Sequence, residues 1–419
     1  MESLKYKFNF EQEFEHLFRH AYGRIVSALS SKYSPTLIDQ IEDSVQESLL
    51  KAMQIWGYKG LPKDPSAWLY RVANNHLIDQ LRRVKKGFNS NDFEQTAGSY
   101  EYQSQDFEYD IQDDQLRMIF ACCHPSLEIT EQIMLSLKIL GGLSVKEIAH
   151  AFMKKEATIK KSITRAKQKF KVRIKKLDVP VGRDLRNRLD VVLKVIYLMF
   201  NEGYKATSGE NLIKKDICEE AIRLACLLKQ NPNCETDDLN SLLALMCFNA
   251  ARFDARMSPG GELLTLEQQD RLLWDKDYIQ WGMKYMTHAE KIDQISQYHL
   301  EAGIACLYIT PKNFQDTDWK SILDLYDLLV DINPSPIVAL NRVVVLEKVK
   351  GVDAALNEIS SLENNDSLLN NHLYYSIKAE LMLQSGKKTE AAKLINCAKD
   401  LTKNKIETAF LAKKLGEIA

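Results

Sequence analysis

An all-α protein is what this sequence predicts, and three observations carry that expectation. Apolar residues recur at helical spacing from about residue 8 onward. No part of 184–419 alternates apolar and polar residues as a half-buried strand would. Near the end, Gly351-Val-Asp-Ala-Ala-Leu356 and Gly386-Lys-Lys-Thr-Glu-Ala391 stand 35 residues apart, each after an apolar helix and opening another. That spacing is near the 34-residue period of tetratricopeptide repeats, so this region is expected to be TPR-like, with an irregular helical bundle as the alternative. A chain of 419 residues has room for two to four domains.

The first block, 8–86, reads as three helices. Phe14, Leu17, Phe18, Ala21, Ile25 and Leu29 keep one helical period, and Ile41, Val45, Leu49, Ala52, Met53 and Trp56 another. A loop, Gly57 to Pro65, leads to a helix over Ser66–Lys86 whose apolar stripe is Leu69, Ala73, Leu77, Leu81 and Val84. Residues 87–114 hold eight acids and no Lys or Arg, among Ser, Asn, Gln and Gly, and read as a flexible acidic linker.

The next block, 115–178, contains a helix-turn-helix pattern. Ser144 with Glu147 forms a capping box. Its helix carries Ile148, Ala149 and Phe152 and breaks at Met153-Lys154-Lys155-Glu156. A second helix follows with Ile159, Ile163, Ala166 and Phe170 on one face, and Thr158, Lys161, Ser162, Arg165 and Lys169 on the other. An Asp178-Val-Pro-Val-Gly182 break precedes the helical block 184–419.

Charge is distributed by segment. The chain carries −1 as a whole, but 1–86 carry +3, 87–114 carry −8, 138–176 carry +11 and 177–419 carry −6. A polar face, dense positive charge and an apolar docking stripe are what a DNA-recognition helix needs; the competing reading is a solvated, lysine-rich helix end. On the Ser66–Lys86 helix, Asn75, Asp79, Arg82 and Lys86 share a second face. Asn and Asp can bond exposed base edges, and Arg82, Arg83, Lys85 and Lys86 can neutralise phosphates. Trp56, Tyr58 and Trp68 flank the loop before it and could stack bases or wall a pocket for a splayed one, or else belong to the core.

Other classes find little support. No two of the eight cysteines have CxxC spacing, and Cys122-Cys123-His124 ends an apolar helix with no second ligand pair, so buried thiols are expected rather than a metal site. There is no Gly-rich phosphate loop, HExxH or GxSxG, and neither enzymatic activity nor a cofactor is expected. Asn201-Glu202-Gly203-Tyr204 reads as a helix end with Gly203 past its last turn, and Gln269-Asp270-Arg271 as a buried ion pair or helix-surface contact. With no apolar leader and no apolar run of about 18 residues, a cytoplasmic protein without membrane contact is expected.

Asp43-Ser-Val-Gln-Glu47 with Trp56, then Ala67 through Arg83, resembles region 2 of extracytoplasmic-function (ECF) RNA polymerase sigma factors. Leu143-Ser-Val-Lys-Glu-Ile-Ala with Ala157 to Lys167 resembles their region 4, though Lys161-Ser162 departs from the family's common Ser-Arg pair. Phe120 to Pro125, Ile196 to Tyr204, Leu242 to Met246, Gln269 to Arg271 with Trp274, Thr317 to Trp319 and Pro334 to Arg342 are similar to signatures of the ECF subgroup with a large helical C-terminal extension.

The resemblance implies a division of labour. Asp43, Gln46 and Glu47 would meet the clamp helices of the polymerase β′ subunit, with the β flap as a further polymerase contact. The loop at 57–65 would capture a flipped base of the minus-ten element, with Trp56, Lys59, Lys63, Trp68, Asn75, Asp79, Arg82 and Arg83 as DNA-binding residues. Thr158, Lys160, Lys161, Ser162, Arg165 and Lys169 would read the minus-thirty-five duplex. The partners implied are core RNA polymerase and promoter DNA, with the helical domain 184–419 regulating initiation and offering a surface to a regulatory protein. The alternative is a helix-turn-helix transcriptional regulator with a repeat-based sensor domain.

Overall fold

Long helix-favouring runs punctuated by Gly, Pro and capping residues give a helical chain, and its computed structural model describes residues 2–85, 104–152, 154–205, 208–209, 213–289 and 294–418. The chain divides into two compact units, Met1–Met199 with Glu219–Cys234, and Phe200–Cys218 with Glu235–Ala419.

In the first unit, α1 (Glu2–Lys32), α2 (Ile38–Lys59) and α3 (Pro65–Lys85) pack together. Their shared core is the sequence's own stripes: Ala21, Ile25 and Leu29 from α1, Ile41, Val45 and Ala52 from α2, and Leu69, Ala73 and Leu77 from α3, all fully buried. Each Val, Leu or Ile among them contributes roughly 1.5–3 kcal/mol by leaving water. Asp64 Oδ1 accepts from the Ala67 backbone N–H at 2.9 Å and, with Pro65 at the first helical position, starts α3.

The acidic stretch is corrected by α4 (Ser104–Cys122), which makes 104–114 helical; the rest of that expected linker, with Lys86, lies outside the described residues. The buried run from Gln115 to Cys123 anchors α4, and a helix once anchored extends cheaply, with carboxylates welcome in its first turns. Cys122 and Cys123 are core thiols, Cys123 being pushed up to about 12 by burial.

The next helices are α5 (Ile129–Ile139), buried along nearly its whole length, α6 (Val145–Ala151) and α7 (Glu156–Arg173). Ser144 and Glu147 exchange the expected capping-box bonds, at 2.7 and 3.2 Å. Gly23 of α1 lies against the end of α5, where a Cβ would stand 2.4 Å from the Leu140 carbonyl oxygen, so only glycine lets the backbones meet.

Two further helices complete this unit, α8 (Gly182–Tyr204) up to Met199 and α9 (Lys215–Lys229) from Glu219. Leu185, Leu189, Val192 and Ile196 of α8 are buried, and Arg188 Nη1 donates to the Phe120 carbonyl at 3.4 Å. The expected break at 178–182 therefore falls inside this unit. Helix α8 also runs on through Gly203, which packs within the helix against Cys218 instead of closing it.

The second unit contains α10 (Asp237–Ala250), α11 (Lys276–His288), α12 (Gln297–Ile309), α13 (Trp319–Ile332), α14 (Pro336–Lys350), α15 (Val352–Ser361), α16 (Asp366–Leu369), α17 (His372–Gln384), α18 (Lys388–Leu401) and α19 (Lys405–Ile418). Consecutive helices pack along the chain, α12 on α13, α13 on α14, α14 on α15, α17 on α18 and α18 on α19. Gly351 and Gly386, the two ends of the 35-residue echo, turn the chain between α14 and α15 and between α17 and α18 at φ +85° and +79°, where a side chain would be strained. Strand structure among the described residues is confined to a two-residue parallel pair, Ser208-Gly209 beside Lys403-Asn404, and one isolated bridge.

Candidate polymerase and nucleic-acid interfaces

The exposed face of α3 is polar by sequence and remains so in the fold. Asn75, Asp79, Arg82 and Arg83 all face solvent. Their neighbours on the helix turn inward: Asn74 Oδ1 accepts from Tyr33 Oη at 2.8 Å, and His76 Nδ1 shares a hydrogen bond with Ser44 Oγ at 3.2 Å. The last turn of α2, which takes in 57–59 of the expected loop, adds Tyr58, 89% exposed, and exposed Lys59, and the connection to α3 adds exposed Lys63.

Trp56 departs from expectation. It is buried and packs edge to face on Trp68 at 5.2 Å between ring centroids, so it supports the corner and turns no face to a base. Trp68 is half-buried. Of the three aromatic residues at this corner, Tyr58 alone is exposed, although it stands outside the expected DNA-binding set.

A different surface lies on α2. Asp43 and Gln46 are exposed, and Glu47, half-buried, pairs with Lys51 at 3.8 Å. One and two turns further along the same side stand Leu50 and Met53, 55% and 52% exposed. Two apolar side chains continuing an acidic row are suited to a protein partner. Periodicity concealed Met53, because its spacing counts it in the α2 core stripe.

Helix α7 buries Ile159, Ile163, Ala166 and Phe170, the expected face. Thr158, Lys160 and Lys161 are exposed and Ser162 half-buried, at the helix end that enters a groove in helix-turn-helix proteins. Arg165 and Lys169 are committed elsewhere. Arg165 Nε and Lys169 Nζ both reach Glu131 of α5 at 2.8 Å, and that carboxylate is only 2% exposed. Burial opposes the Glu131 charge, yet Lys169, the Glu128 backbone N–H and Arg165 together hold its carboxyl below the usual range. These two cations are helix-to-helix ties in this form of the protein, although the Arg165 side chain remains 65% exposed.

The other edge of α7 faces α2. Lys167 pairs with Glu42 and with Asp39, the latter at 3.3 Å, and Lys171 reaches Asp39 at 2.6 Å. Glu42 is buried, and its Oε1 accepts from Tyr22 Oη at 2.7 Å. Burial works against Lys167, but Glu42 and Asp39 hold its ammonium above the usual lysine range. Burial likewise works against Asp39, and Lys171 and Lys167 hold its carboxyl below the usual range. On α1, buried Arg19 donates to the Gly142 carbonyl at 2.9 Å and pairs with Glu147 at 2.8 Å. The α1–α3 bundle and α7 are thus laced together by charge. His20 of α1 completes the network toward α9: its Nδ1 meets Glu220 at 2.9 Å, and Arg223 holds the same carboxylate.

Comparisons with known proteins bear on this bundle. Residues 17–87 match the family described as Sigma-70 region 2, and residues 188–290 match a family of unknown function, DUF6596. Over 386 residues the chain is 34% identical to an uncharacterized protein of Rhizobium meliloti (strain 1021), covering 91% of this chain and 90% of that protein. Among the described residues, no helix is long and apolar enough to cross a membrane. The region 2 match coincides with α1–α3, the helices that carry both the exposed polar face and the acidic-apolar face. The chain belongs to one family with this Rhizobium protein, and its α1–α3 bundle matches region 2 of the sigma-70 factors.

Proposed function

We propose that this protein is an ECF-type sigma factor in which 8–86 act as region 2 and 115–178 as region 4, with residues 184–419 regulating initiation. One observation carries the reading: a single helix pair, α2 and α3, offers an acidic-apolar face fit for a protein and a polar, cationic face fit for nucleic acid. Asp43, Gln46, Glu47, Leu50 and Met53 would meet polymerase. Tyr58, Lys59, Lys63, Asn75, Asp79, Arg82 and Arg83 would hold the melted minus-ten strand, the aromatic ring by stacking and the cations by phosphate contact. Thr158, Lys160, Lys161 and Ser162 would enter the minus-thirty-five groove.

Size adds a requirement. Elements about 25 base pairs apart are separated by roughly 85 Å along a duplex at 3.4 Å per pair. A compact unit of roughly 215 residues is only about 45 Å across. The two reading surfaces therefore cannot reach both elements while the Lys167, Lys171 and Arg19 contacts hold. In this reading the structure is a closed form, and engagement of polymerase supplies the free energy that parts α7 from α2. Releasing Arg165 and Lys169 from Glu131 would return them to the DNA-contacting set.

Run-off transcription with purified core polymerase tests the reading. Promoter-specific transcripts should require the protein, and the protein alone should bind duplex promoter only weakly at physiological salt. Tight polymerase-independent binding without transcript would favour the alternative, a helix-turn-helix regulator.

A further inference from the structure

Beyond the sigma machinery, the second unit contains an unusual pairing of cations. Arg252 follows α10, and Arg271 opens the turn before α11. Both guanidinium groups lie on Trp274, whose indole is buried, with their central carbons 5.9 and 4.4 Å from its ring centroid. Arg252 Nε donates to Gln269 Oε1 at 3.1 Å. Arg271 Nη1 donates to the carbonyls of Tyr308 and Pro311 at 3.2 and 2.6 Å. The expected ion pair at 269–271 is not formed, because Asp270 instead caps its own turn by accepting from Leu272 N–H at 2.9 Å.

Neither guanidinium makes an ion pair with a carboxylate among the described residues. Two N–H groups of the cluster, Arg271 Nη2 and Trp274 Nε1, are buried with no hydrogen-bond partner. Burial and the charge of Arg252 both press against the Arg271 cation, and Asp316 offsets them only in part. Two cations side by side and two unanswered donors are costly arrangements unless something else answers them. Both arginines are half-buried, so the cluster is reachable from solvent.

We propose that Arg252, Arg271 and Trp274 form a binding site for a phosphoryl dianion, free or as the head of a small phosphomonoester. Two monocations balance the −1.5 to −2 charge that such a group carries near neutral pH. The guanidinium forks suit its oxygens, and Arg271 Nη2 and the indole N–H supply further donors. The site lies within the residues that match DUF6596, and it stands on the second unit alone, whether or not the sigma reading holds.

The test is calorimetric titration of the full-length protein, without DNA, at about 150 mM salt, with inorganic phosphate, glycerol 3-phosphate and acetate as probes. Saturable binding of phosphate or of the ester, each absent with acetate, is the expected result; the arm that binds identifies the source. Arg252→Gln, which leaves the Arg271 carbonyl bonds in place, should weaken it at least tenfold, and Arg271→Lys should weaken it by a similar factor. A melting-temperature rise on adding the probe, lost in Arg252→Gln, gives a second readout. No saturable binding of either phosphoryl probe, equal binding of acetate, or full binding by Arg252→Gln would each overturn the proposal.

Discussion

Replacing Lys167 by methionine tests the seam between α7 and α2. Methionine keeps much of the apolar stem and removes only the ammonium. Glu42 then stays buried, 3% exposed, keeping the hydrogen bond from Tyr22 Oη and the attraction of the half-buried Lys138 ammonium. Removing one partner of a buried pair costs about 3–5 kcal/mol. Lys167 is itself 18% exposed, and water can reach the site through that gap, so a discounted loss of about 2–4 kcal/mol is expected. The Asp39 contacts add little, because that carboxylate is 44% exposed and surface pairs contribute about 0–1 kcal/mol. At roughly 2–4 °C per kcal/mol for a unit of this size, the first melting transition should fall by about 5–15 °C. Glu42→Gln with Lys167→Met should cost less than the two single changes summed, with a coupling of about 1–2 kcal/mol in urea unfolding at pH 7. A Lys167→Met loss below about 0.5 kcal/mol, or strict additivity, would refute the argument.

Three further outcomes follow from the same structure. Glu219 and Glu220 raise His20 to about 9 from 6.5, so its stabilising contribution is fully present below pH 6.5 and is lost as pH rises through about 9; after discounting for partial exposure, His20→Gln should cost about 1–2 kcal/mol at pH 6 and almost nothing at pH 10. Leu50→Asp with Met53→Asp should weaken core-polymerase binding at least tenfold in a pull-down titration while leaving the melting temperature within about 2 °C, since both side chains are exposed. Asn75→Ala and Asp79→Ala should preserve assembly with polymerase and lower thymine reactivity to permanganate in the promoter bubble, and unchanged reactivity would remove them from strand capture.

Local pattern carried much of this. Ile159, Ile163, Ala166 and Phe170 are buried where their spacing put them, and Asn75, Asp79, Arg82 and Arg83 face outward. Both follow from 3.6-residue periodicity, which a sequence displays directly. Pairings between distant residues were not legible. Glu131 lies 34 and 38 positions from Arg165 and Lys169, and nothing local marks a single carboxylate in an apolar helix as the anchor of two cations. Trp56 was misplaced for a related reason: its partner Trp68 stands across a turn, and an aromatic at a helix end has the same pattern whether it packs or protrudes. The acidic run of 87–114 hid the start of α4 because composition suggested a linker, while the anchor for that helix lies downstream of the run. Chain order also misled at the Asp178–Gly182 break, since α8 and most of α9 return to pack in the first unit.

The separation of α3 from α7 decides whether the compact unit is a closed form. Fluorophores attached through unnatural amino acids at Arg71 and Gln168, both exposed and outside the proposed contacts, would report it by energy transfer. The free protein should give one short distance, and the complex with core polymerase and promoter a distance longer by several tens of ångströms, in keeping with about 85 Å between promoter elements against about 45 Å for the closed unit. An unchanged short distance in a complex that is actively transcribing would contradict the account.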